Sequence, residues 1–402
     1  MKTTSVTLFL VALTAGCGGA SDEPPPSPAV TSCAVEVASG DAHVCARRGD
    51  GSVWCWGLNA SGQLGVGDAI NRPAPAQVGS LAHVAQVTAG ASHACAIDAA
   101  GAAWCWGENE AGQLGDGTNT PRSRPVQVAG LAGVTQLSAG GAHTCALEHD
   151  GSVWCWGANE LGELGAGTSG DGSNRNAPVE VSALGHDVAQ LSARGNHTCA
   201  RKNDGSVWCW GENTSGELGD GASGDGQLRA TPVELTALDH DVAELAAGGA
   251  HTCARKNDGS VWCWGNNSSG QLGRGYVSYS APTALTAPLA VQFPPSTRIA
   301  SISAGQAHAC ARSSAGELFC WGVNGRGQLG NGQVTPAAER GVGTPAGIAG
   351  LADVGALSAG STHSCALSGD AVFCWGGNRV GELGNNGAPD DDPTPTRTAL
   401  CP

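Results

Sequence analysis

Seven times along this 402-residue chain an aromatic-Cys-Trp-Gly tetrad returns, and a unit repeated that often sets the architecture before any other feature is considered. The tetrads run from Trp54-Cys55-Trp56-Gly57 to Phe373-Cys374-Trp375-Gly376, with cysteine-to-cysteine steps of 50, 50, 54, 54, 57 and 54 residues. Each is followed by an Asn and a Gly-(Gln/Glu)-Leu-Gly element, as in GLNASGQLG at 57–65 and GGNRVGELG at 376–384. Each is preceded by His-x-Cys-Ala, from His43-Val44-Cys45-Ala46 to His363-Ser364-Cys365-Ala366. With 63 Gly and a single Met, the units read as strands and turns, not helices. Complete repeats of about 50–57 residues predict an all-β, seven-bladed β-propeller with four strands per blade. An open solenoid would need atypical end caps, and here both terminal copies are whole.

The cysteines fix the register inside a blade. Pairing Cys45 with Cys55 across a hairpin leaves Gly49, Asp50 and Gly51 as a three-residue loop. Such loops want a left-handed residue, usually Gly, at their third position. Gly51, Gly101, Gly151, Gly205, Gly259 and Gly316 all fall there. In the last copy Cys365 and Cys374 are nine apart instead of ten, and the same pairing gives a two-residue loop, Gly369-Asp370. Directly opposed strand residues lie at disulfide distance. Seven hairpin disulfides are therefore expected: Cys45–Cys55, Cys95–Cys105, Cys145–Cys155, Cys199–Cys209, Cys253–Cys263, Cys310–Cys320 and Cys365–Cys374.

Three of the 17 cysteines remain. Cys33 and Cys401 stand where the last copy would flow into the first, and a Cys33–Cys401 clasp is expected to close the ring. Cys17 follows Lys2, an apolar run from Val6 to Leu13, and the small residues Thr14-Ala15-Gly16. This resembles a bacterial lipoprotein signal over residues 1–17, with Thr14 where that signal has Leu, and makes Cys17 the expected lipidation site. An ordinary signal peptide cut nearby is the alternative. Residues 18–32, with Pro24-Pro25-Pro26, read as an extended tether, and 33–402 as one propeller domain. So many cysteines point to an oxidising, extracytoplasmic compartment, either a cell-envelope lipoprotein or a secreted protein.

The AGxxHTCAL, DGSVWCWG and GxNxxGQLG elements resemble the regulator of chromosome condensation repeat, a seven-bladed propeller, over about 34–400. The founding eukaryotic member is a nuclear guanine-nucleotide exchange factor on chromatin. The expected secretory signal and disulfides and a net charge of −15 set this chain apart from that role and argue against nucleic-acid binding. Secreted bacterial relatives in a Cys-rich branch include a β-lactamase inhibitor that binds a protein through loops on one face, which is the nearer likeness.

The residues show no nucleophile constellation, phosphate loop or metal-ligand set, so no catalytic, cofactor or metal residue is assigned. The seven His-x-Cys histidines are expected to hydrogen-bond neighbouring backbone, because each cysteine is claimed by its hairpin partner. The paired tryptophans are expected to pack between blades. Differences between copies are the place to look for function: the insertions at 168–176 and 222–230, and the irregular stretch 276–298 with Tyr276, Tyr279 and Phe293. Asp171 and Asp225 in the insertions offer too few ligands for calcium. The expected function is a monomeric binding scaffold, tethered to the membrane only through its lipid, that takes a protein or surface ligand on its non-repeated loops. A glycan-binding or glycan-active propeller is the alternative.

Overall fold

The computed structural model describes residues 33–400 apart from 225, 278–283 and 337–338. Seven four-stranded antiparallel sheets follow one another, each built from strands adjacent in sequence. The first comprises Glu36–Ser39, His43–Arg47, Val53–Gly57 and Arg72–Gln77. The seventh comprises Val354–Ala359, His363–Ser368, Ala371–Gly376 and Asp392–Arg397. First strands line a central lumen of about 450 Å³, and fourth strands form the rim. No strand is shared between the first and last blades. The seam is closed by the contacts used elsewhere in the ring. Ser39 N donates to Ser358 Oγ at 2.8 Å, as Ala247 N does to Ser192 Oγ at 2.8 Å between blades four and five.

The hairpin register holds in every blade. Cys45 faces Cys55 and Cys365 faces Cys374, and all seven hairpin pairs are bonded with Cα atoms 4.1 Å apart. Gly51 adopts φ +79° at the third loop position, and Ser368 pairs with Ala371 across the shortened last loop. The one-residue deletion was absorbed in the turn. Cys17 and Cys401 lie outside the described residues, and with them the lipidation site and the Cys33–Cys401 clasp. Cys33 itself is buried, its Sγ 3.9 Å from the carbonyl oxygen of Leu400.

The core is a ring of wedges between blades. The tryptophan that precedes the Gly of each tetrad is fully buried, and its Nε1 donates to a carbonyl of the preceding blade: Trp106 to Gln63 at 2.9 Å, Trp210 to Glu163 at 2.8 Å, and Trp56 to Glu382 across the seam at 2.8 Å. Burying each indole is worth on the order of 5 kcal/mol. The glycine after each Leu makes this contact possible: a Cβ on Gly65 would stand 2.8 Å from Trp106 Nε1. The first tryptophan is half-buried. Trp54 Nε1 donates to Ser52 Oγ, and Lys202 and Lys256 lie 5.0 Å over Trp208 and Trp262. The two tryptophans of a pair therefore differ, one locking blades and the other packing on the blade's own turn.

Candidate functional site

Because strands alternate in direction, the first-to-second turns and the third-to-fourth loops of every blade emerge on one face. The third-to-fourth loop is a rigid frame built by the repeat's Asn. In all seven blades Asn Oδ1 accepts the amide of the Leu five residues on, from Leu64 to Asn59 at 2.9 Å to Leu383 to Asn378 at 3.1 Å. Its Nδ2 donates to a carbonyl further along the loop, Asp68 in blade one at 3.0 Å and Thr168 in blade three at 2.9 Å. The frame carries variable chain without disturbing the blade beneath.

The differences between copies sit on this frame. The insertions at 168–176 and 222–230 are the third-to-fourth loops of blades three and four, and Tyr276 opens that of blade five. All three emerge on the same face of consecutive blades. The 168–176 loop is internally tied: Ser173 Oγ donates to Asn159 O at 2.8 Å and Gly170 O at 2.6 Å, and Gly170 N donates to Glu160 O at 3.0 Å. Asp171 is exposed. Asp225 lies outside the described residues, and among the described residues no cluster of three or more His, Cys, Asp or Glu is arranged for a metal. Tyr276 is 47% exposed, while Tyr279 lies outside the described residues. Phe293 departs from expectation. It is half-buried, its ring set edge-on to Phe319 and Trp321 at centroid distances of 5.7 and 5.5 Å, so much of it packs into the wedge between blades five and six. The stretch 276–298 is also less irregular than it reads, since Ala284–Ala290 is the fourth strand of blade five.

Beneath this face the seven histidines form a buried ring. Four of them bond not to neighbouring backbone but to the next blade's hydroxyl: His93 to Thr144 at 2.9 Å, His143 to Thr198 at 2.8 Å, His197 to Thr252 at 2.9 Å and His308 to Ser364 at 2.8 Å. Each hydroxyl donates onward to a carbonyl, Thr144 to Gln113 O at 2.9 Å and Thr252 to Glu217 O at 2.8 Å. It must therefore accept from the imidazole, which places the proton on Nε2. In blades one, five and seven the opposing residue is Ala94, Ala309 or Val44, and both ring nitrogens lack a hydrogen-bond partner among the described residues. Burial pushes all seven pKa values down, to about 4 for His43 and His143 and to about 3 for the rest.

One residue breaks the ring's pattern. Arg194 stands where the other six blades place a Gly packed under the histidine, such as Gly40 or Gly140. Its guanidinium crosses the lumen, Nη1 donating to Ala359 O at 2.9 Å and Nη2 meeting Asp41 Oδ1 at 3.4 Å, so blade four is braced against both blades of the seam. Sequence reasoning missed it, although one Arg among six Gly at a fixed repeat position was a legible signal. Burial also raises the pKa of Glu217 to about 7, at a position that is Gln in four blades.

Comparison with known proteins agrees with the geometry. The RCC1-like domain profile matches residues 119–401, and regulator of chromosome condensation (RCC1) repeat profiles match 50–97, 34–63 and 84–113. Ultraviolet-B receptor UVR8 of Arabidopsis thaliana is 32% identical over 55% of this chain and 49% of its own length. Human probable E3 ubiquitin-protein ligase HERC6 is 31% identical over 53% of this chain and 20% of its own. The chain thus spans half or less of these relatives. Prp20p of Saccharomyces cerevisiae, whose structure was described with its binding to Gsp1p and histones, superposes with a TM-score of 0.76 at 25% identity, over 86% of this chain and 85% of that one. The seven framed loops, the buried Trp wedges and these matches together place the chain in the RCC1-like domain family.

Proposed function

We propose that this chain is an extracytoplasmic, lipid-anchored scaffold that binds a protein partner on the face carrying the third-to-fourth loops of blades three, four and five. The observation that carries the reading is the placement of both insertions and Tyr276 on consecutive blades of one face, each on a frame rigid enough to present a preformed surface. A protein-binding role also fits the family, since Prp20p binds Gsp1p and histones. Seven disulfides suit an oxidising compartment, and no helix among the described residues is long and apolar enough to cross a membrane. Anchoring then falls to Cys17, with 18–32 as the tether, and the Cys33–Cys401 clasp guards the seam. The glycan alternative draws no support from the tryptophans. None of the 12 is exposed as a stacking platform.

The experiment is affinity capture from extracellular fractions with the intact chain and with a graft replacing 168–176 and 222–230 by the shorter loop of blade two. The expected outcome is one protein retained by the former and lost by the latter. Equal retention by the graft, or glycan-array hits without a protein partner, sinks the proposal. The anchor has its own measurement. Cys17→Ser should move the protein from the membrane fraction to the soluble one.

A further inference from the structure

The opposite mouth of the lumen carries a second departure from the repeat. Immediately after Cys-Ala on each second strand, blades two, three and seven place Ile97, Leu147 and Leu367, while the other four place arginine. Two of these arginines have a carboxylate opposite them in the register. Arg47 meets Glu36 and Arg255 meets Glu244, each pair at 2.9 Å. The other two do not. Arg201 faces Gln190, whose amide is already spent on both backbone groups of Leu245, and Arg312 faces Ser301.

Glu244 of blade five pairs with Arg255 and also feels Arg312 of blade six, while Arg201 of blade four stands beside Arg255, so a single carboxylate serves this row of three guanidinium groups. Part of this excess is withdrawn from water, although Arg201 and Arg312 are only half-buried. Arg201 Nε, Arg312 Nε and Ser301 Oγ are buried and have no hydrogen-bond partner among the described residues. Arg201 makes one hydrogen bond, to Lys202 O at 3.3 Å, and burial together with Arg255 pushes its pKa down. Gln190, Arg201, Glu244 and Arg255 line a shallow recess of about 630 Å³, walled on one side by Leu147. That volume is ample for a small ligand.

Half-burying cations beside each other without acceptors is costly, and the ring does not require it. Leucine fills the same register position in blades three and seven. The two Nε–H groups left over are donors and the Ser301 hydroxyl can also donate, and planar guanidinium forks match oxyanions edge to edge. We propose that Arg201 and Arg255 form an anion site in this recess, reinforced by the charge of Arg312 on the neighbouring blade, that binds the phosphate or carboxylate group of a small ligand at this mouth. The site lies on the face opposite the variable loops, and it stands or falls independently of the partner proposed there.

The test is titration calorimetry of the full chain at low ionic strength, with inorganic phosphate in one arm and glutarate in the other. The expected result is saturable one-to-one binding of at least one anion, weakened tenfold or more by Arg201→Leu and by Arg312→Leu. Both substitutions copy a residue the blade already accepts, and Trp fluorescence checks that the fold is kept. Should the Arg201→Leu protein not be secreted, Arg201→Gln replaces it. Arg47→Gln, in the balanced blade one, should leave binding unchanged. Phosphate alone binding identifies a phosphorylated ligand, and glutarate alone a carboxylate. No heat from either at 10 mM, retention of binding in both leucine variants, or equal loss in Arg47→Gln would overturn the site.

Discussion

Acidification should unfold this propeller by way of its histidine ring, and the magnitude follows from the geometry. His93, His143, His197 and His308 hold their proton on Nε2. In blades two, three and six the buried Nδ1 has no acceptor, and in blades one, five and seven neither nitrogen has a partner among the described residues. A second proton would place an unsolvated charge there. Folded pKa values of about 3 to 4 against 6.5 unfolded mean that the native state binds fewer protons. Stability is therefore complete above pH 6.5 and is lost as pH falls from there toward 4. At pH 4.5, two units below the unfolded value, each histidine costs about 2.7 kcal/mol. Even half that sum over seven rings, about 9 kcal/mol, is comparable to the whole stability of an ordinary domain. Glu217 acts in the opposite sense. Its raised pKa of about 7 means that acidification first relieves a buried charge, so maximal stability should fall near pH 6. The assay is guanidinium unfolding of the oxidised protein, followed by Trp fluorescence from pH 7.5 to 4. Around pH 5 the dependence of unfolding free energy on pH should report an uptake of several protons. A midpoint unchanged between pH 6.5 and 4.5, or an uptake below one proton, would refute the reasoning.

The remaining expectations concern single contacts. Thr198→Val removes the acceptor of His143 Nε2 and should cost about 1–3 kcal/mol by leaving a buried donor unpaired. Ala94→Thr should do the reverse, giving His43 the hydroxyl that His93 finds in Thr144 and adding about 0.5–1.5 kcal/mol; equal effects in denaturant titrations would contradict the bond. Replacing Cys45 and Cys55 together by Ala opens one hairpin loop and should cost about 2–3 kcal/mol, read as a lowered melting temperature with the other six bonds intact by peptide mapping. Phe293→Ala should destabilise by about 2 kcal/mol and leave partner capture unchanged, whereas Tyr276→Ala should alter capture with stability shifted by less than about 0.5 kcal/mol. The opposite pattern would return Phe293 to the binding surface.

What the sequence made legible divides along the repeat itself. A residue present in all seven copies answers a constraint met seven times, so its partner could be found by counting. The hairpin register predicted Cys45 opposite Cys55, and it survived the deletion that brought Cys365 and Cys374 one residue closer. Contacts between copies were not countable in that way. The His–hydroxyl bonds join one blade to the next, and the hydroxyl is missing from Ala94, Ala309 and Val44, so no motif announced them. Phe293 was misplaced for the same reason. Among few aromatics, an extra one in an irregular stretch reads as surface, and only the ring's curvature brings Trp321 of the next blade against it. The arginines show how the two kinds of information combine. A repeat supplies its own control, because Gly at six positions says that the blade by itself does not need Arg194, and Leu147 says the same of Arg201. The sequence could therefore flag which residues are surplus to the scaffold. It could not say that Arg194 reaches across the lumen to a carboxylate while Arg201 meets none. That difference separates a brace from a binding site, and it depends on which blades the ring sets side by side.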